Sequence, residues 1–229
     1  MNFPAHWFPL PWLLAADVLC LLLFAAALRP ALATWRTHRQ AAWVGLLIMA
    51  LCWSLRAAPA GGMLGGVSYH LLGISLLSLM IGIPAAFCLA VLLLLPYIWL
   101  WQGAGDLSVA GLTVLAGIVP PLVGVALARQ IVQRLPRNLF IYIFLNGFFA
   151  AAAGILLSAA ANGVLLYLTG VFPTSILLDS VLPVFFLIAW GEAFLTGLLC
   201  AIFIALKPHL ISTFSDADYL RQNARQIWK

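Results

Sequence analysis

Long apolar runs, parted by short polar or glycine-containing breaks, fill nearly the whole chain. They predict helices over about 12–29, 41–56, 69–83, 84–101, 108–128, 139–168 and 181–206. Crossing a membrane takes roughly 20 mostly apolar residues, and only a helix satisfies every backbone group there without help from a neighbouring strand. The third run is short, and its break, "GIP" at 82–84, carries no charge. Runs three and four are therefore two helices or one bent, re-entrant element, giving seven helices or six. Pro120 and Pro121 break or kink the fifth run. Ala27 and Ala31, like Ala150 and Gly154, stand at the small-xxx-small spacing that lets helices approach closely. The first pair is the expected docking face for a membrane partner.

Composition sharpens this into a class. Of 229 residues 65% are hydrophobic and 7% charged, with a mean hydropathy of +1.12, which excludes an ordinary soluble domain. The expectation is an all-α, polytopic membrane helix bundle of about seven transmembrane helices, with the lipid bilayer as its surroundings. The net charge of +5 reports topology, and no nucleic-acid partner is expected. Arg29, Arg36 and Arg39 follow the first run, Arg129, Arg134 and Arg137 the fifth, and Lys207, Arg221, Arg225 and Lys229 the last. Placing these clusters inside gives an N-out/C-in topology. The start, "MNFPAHWFPLPW", has no Lys or Arg ahead of its apolar run, so the first helix is expected to stay and Met1 to be the N-terminus. Residues 1–206 read as one transmembrane domain and 207–229 as a cytoplasmic amphipathic tail, with Ser215 and Asp218 at capping-box spacing. Cys20, Cys52, Cys88 and Cys200 sit in apolar runs without CxxC spacing and read as small hydrophobes.

Polar chemistry gathers on the expected outer face, where His6, His70, Asp106 and Asp179 lie. A terminal amine with His6 and His70 offers nitrogen ligands suited to nickel, cobalt, copper or zinc. The bland alternative makes His6 an interfacial anchor and His70 a hydrogen-bonding residue at a helix start. Glu192 lies midway along the last run, where a charge costs about 3 kcal/mol or more without a partner. It is either an intramembrane functional carboxylate, contacting an ion or carrying a proton, or a packing residue bonded through Asn146 or Thr196. Asp17 poses the same choice. Ser68 and His70 are two residues apart and form no nucleophile elbow, and no Walker A sequence is present. The chain is not expected to be an enzyme; any ATP hydrolysis would belong to a partner.

Three segments carry a family resemblance: "APAGGMLGGVSYHLLG" (58–73), "GAGDLSVAGLTVLAGIVPPLVG" (103–124) and "GEAFLTG" (191–197). In order and in content they resemble the CbiM/NikM family, the substrate-capture membrane components of energy-coupling-factor (ECF) ABC transporters for cobalt and nickel. The resemblance implies a multi-pass protein of the bacterial inner membrane, working as a permease subunit with an ECF-type coupling membrane subunit and ATPase subunits. It also implies a metal site in which the Met1 amine, the backbone nitrogen and side chain of a histidine at position 2, and a loop histidine surround the ion. Met1 and His70 match that pattern, whereas position 2 is Asn2. His6 stands nearby on the same segment as a replacement imidazole, and the altered set, nearer tetrahedral, would also accept zinc or copper. The alternative reading is a membrane scaffold or assembly protein that keeps the fold without the metal site.

Overall fold

The computed structural model describes residues 3–56, 68–215 and 219. Among the described residues the chain forms seven helical rods and no β-strand, as the apolar periodicity predicts. They are α1 (Leu10–Thr37), α2 (Arg39–Ser54), α3 (Ile74–Ile81), α4 (Ile83–Trp101), α5 (Ala104–Val132), α6 (Leu139–Thr169) and α7 (Thr174–Leu206). Five of them, α1 and α4 to α7, are long and apolar enough to cross a membrane. The 16 residues of α2 reach about 24 Å at 1.5 Å per residue.

The expected third span, 69–83, is corrected. Its own helix, α3, has only eight residues, a rod of about 12 Å, and residues 68–73 run into the bundle without forming helix. Gly73 explains the delay: its φ of +66° is left-handed, a conformation that suits glycine and excludes the preceding stretch from the helix. The third run is thus a descending segment plus a half-length helix, which turns at Gly82 into α4.

Helix α1 lies at the edge of the bundle. Leu14, Val18, Leu21 and Leu22 are exposed along its outer face, as befits a surface that meets lipid, while Leu13, Ala16 and Cys20 pack inward. Ala31 is fully buried in the chain's own packing. The Ala27/Ala31 stripe therefore does not present both residues to a partner, a second correction to the sequence reading.

The α5–α6 crossing shows how the double proline is accommodated. A Cβ on Gly154 would lie 2.7 Å from the Cα of Pro121, so the two backbones touch where only glycine fits. Pro120 has no N–H to return to the carbonyl of Ala116, four residues back. That carbonyl accepts instead from Ser158 Oγ at 2.8 Å and Asn162 Nδ2 at 3.0 Å, both on α6. The segment Val114–Ile118 is π-helical, as is common where the α ladder is interrupted.

One end of the bundle collects the cationic residues of the α1–α2 and α5–α6 corners together with Lys207 at the foot of α7. Residues 208–214 return beneath α3 there. Ser212 N–H donates to Met80 O at 3.1 Å, and Thr213 Oγ1 donates to Leu79 O at 2.8 Å. The Tyr142 hydroxyl bonds Thr213 Oγ1 at 2.6 Å, and Tyr142 packs against Phe214 and Tyr219. The rest of the expected amphipathic tail, 216–218 and 220–229, lies outside the described residues.

Candidate functional site

The segment that leads into α3, residues 68–73, is held by its backbone. Glu192 projects from the middle of α7, fully buried, and its two oxygens accept from consecutive amides: Leu72 N–H at 2.8 Å and Gly73 N–H at 2.6 Å. The turn at Gly73 aims both amides at one carboxyl group, a small anion-binding nest at the head of α3. From α2, Trp53 Nε1–H donates to Leu72 O at 2.9 Å. Leu71 lies against Gly191, where an added Cβ would come within 3.3 Å of its side chain. The Gly191–Glu192 pair of the "GEAFLTG" motif thus makes room for the segment and grips it. Asn146 and Thr196 are not the partners of Glu192: Asn146 Oδ1 and Thr196 Oγ1 are both buried without a hydrogen bond.

His70 sits in this clamped segment at 4% exposure, its ring flanked by Trp53 and Tyr97, each with centroids 5.3 Å away. Its Nδ1 lies 3.0 Å from Leu71 O. A carbonyl only accepts, so Nδ1 carries the proton in that bond and Nε2 keeps the lone pair. Packed between Trp53 and Tyr97, the ring has an environment suited to its neutral form. A neutral, oriented imidazole with an unprotonated nitrogen is the form that ligates a transition metal.

The N-terminal segment is also tied down. Ala5 N–H donates to Asp106 Oδ1 at 2.8 Å, and Gln102 Nε2 approaches Phe3 O at 3.4 Å. Phe3 is 1% exposed and packs against Trp7 and Phe8, while Trp7 meets Phe172 edge-on at 5.5 Å. His6 is exposed on the single turn Ala5–Trp7, its ring edge-on to Trp7. Met1 and Asn2 lie outside the described residues. Among the described residues, no three His, Cys, Asp or Glu side chains form a metal-holding group.

Asp17 accepts from Gly111 N–H at 2.9 Å, stitching α1 to α5 at a close backbone approach. Sequence reasoning named Asp17 and Asp106 without their partners, and it missed Trp53, Tyr97 and Gln102. Trp53 had one legible signal, an indole that needs an acceptor at the end of an apolar run.

Two motifs of the sequence thus meet in one place, the histidine segment and the late glutamate. The profile of a family of cobalt uptake substrate-specific transmembrane regions, CbiM, matches residues 2–210. No curated protein and no solved structure matches the chain.

Proposed function

The chain belongs to the CbiM family of cobalt uptake substrate-specific transmembrane regions, and from that premise we propose that it is the substrate-binding permease subunit of an ECF-type transporter. The family is one of membrane transport components, not of enzymes. The cation, of the cobalt or nickel class, is captured from outside and handed inward with a coupling membrane subunit and ATPase subunits of the bacterial inner membrane. The buried, neutral His70 on a segment clamped by Glu192 carries this reading.

As ligands we propose His70 Nε2 and the Met1 amine, with Asn2 following the amine. Phe3, buried one residue further on, and the Asp106 bond to Ala5 anchor the segment that would deliver it. His6, exposed at the start of the chain, takes the place of a peripheral ligand that guides the ion inward. Calorimetric titration of cobalt and nickel into the purified protein tests this. Extending the N-terminus by one residue should weaken binding at least tenfold, because it moves the amine out of reach, whereas His6→Ala should cost less. An extended protein that binds as tightly as the native one shows that the amine is no ligand; a native protein that binds neither cobalt nor nickel leaves the scaffold reading in its place.

The topology we propose is N-out/C-in, supported by the gathering of cationic residues at one end of the bundle. Reporter fusions after Arg39 and after Lys229 should both read cytoplasmic; an external signal at either reverses the orientation.

A further inference from the structure

At the basic end a groove of about 520 Å³ runs between α1, α2 and α4. Leu32, Trp35 and Arg36 of α1 form one wall, Arg39, Trp43 and Leu46 of α2 the other, and Leu89 of α4 closes the floor. Its polarity is graded by helical spacing. Arg36 is one turn from Leu32, and Arg39 lies on the same face of α2 as Trp43 and, a further turn in, Leu46. Charge sits at the mouth and hydrocarbon lies deeper. Trp43 is 63% exposed and Leu32 41%, so the groove opens on the outer side of the bundle and is not an internal cavity. Among the described residues no acidic side chain lines it. The indole N–H of Trp35 is buried without a hydrogen-bond partner.

We infer that this groove is a binding site for one anionic phospholipid. The phosphodiester lies between the Arg36 and Arg39 guanidinium groups and one acyl chain follows Leu32, Leu46 and Leu89. Three features converge on that occupant. Two guanidinium groups on facing walls, with no acid lining the groove among the described residues, favour an anion between them. Indoles at the charged level are the usual company of a headgroup, and an apolar floor beginning one turn below the charges accepts a chain and rejects a soluble phosphate ester. Basic pockets between membrane helices bind acidic headgroups for the same reasons.

Native mass spectrometry of the detergent-solubilised protein tests the site with dioleoyl phosphatidylglycerol, dioleoyl phosphatidylcholine and glycerol 1-phosphate as probes. The phosphatidylglycerol should be retained about tenfold more than the phosphatidylcholine, two arginines at a headgroup being enough for that ratio. Glycerol 1-phosphate at equal concentration should not displace it. Arg36→Gln with Arg39→Gln should bring the ratio close to one. Arg134→Gln with Arg137→Gln, exposed at the same end outside the groove, should leave it unchanged. Equal retention of both lipids overturns the inference, as does equal loss in the two double variants, which would reduce it to bulk surface charge. Displacement by glycerol 1-phosphate, or cross-linking from position 43 to a protein subunit in place of lipid, overturns it too.

Discussion

Glu192→Ala should lower the stability of the detergent-solubilised protein by about 3 to 5 kcal/mol, read as a drop in its thermal midpoint. The variant leaves the amides of Leu72 and Gly73 buried without an acceptor, each costing about 1 to 3 kcal/mol, and opens a cavity where the side chain stood. Water cannot make good the loss, because Glu192 and its partners are enclosed. Glu192→Gln should do less damage, since its amide oxygen still accepts one bond while its NH2 group meets the other N–H as donor against donor. The order native, then Gln, then Ala is the expected result. A Gln variant as unstable as Ala would mean that acceptance by both oxygens, not shape, is what the site needs, and an Ala variant of native stability would show that the amides find other partners.

The second large effect falls on His70→Ala, which should reduce cobalt or nickel binding at least a hundredfold under the proposed function while changing the thermal midpoint little. The ring is flanked by Trp53 and Tyr97, so its removal leaves a small void, but the grip on the segment runs through the backbone of Leu72 and Gly73 and survives. Acid should weaken binding as well, because an imidazole and an amine each bind a metal only when unprotonated. The pH profile of the titration checks this. Affinity that does not fall with pH would argue against nitrogen ligands, and His70→Ala binding metal normally would remove that residue from the site.

The sequence made the helical class and most rod boundaries legible because burial in a bundle demands long apolar runs, and those runs can be read directly. It misjudged 69–83, because an apolar stretch buried on all sides looks the same whether it is helix or extended backbone. The signal that distinguishes them, the left-handed turn at Gly73, depends on a conformation that residue type permits without dictating. Glu192 was legible as an anomaly, since a carboxyl group in the middle of such a run must have a partner. The identity of that partner was not, because backbone amides carry no residue-specific signature and Asn146 and Thr196 were the nearest polar side chains in view. The same blindness hid the Asp106 bond to Ala5 and the Asp17 bond to Gly111. His70 was singled out by its surroundings, but its tautomer follows from a contact with the very next residue that only coordinates display.

The half-length helix α3 is bonded at both ends to one other rod and that rod's own continuation. Glu192 of α7 holds its head, and Ser212 and Thr213, a few residues beyond the foot of α7, hold Leu79 and Met80 at its tail. Head, tail and α7 therefore close a ring within one chain. A closed ring of this kind resists shear: sliding α3 along α7 in either direction must break hydrogen bonds at one end before any can form elsewhere. Helices α3 and α7 thus form one hydrogen-bonded frame, with His70 at its upper corner.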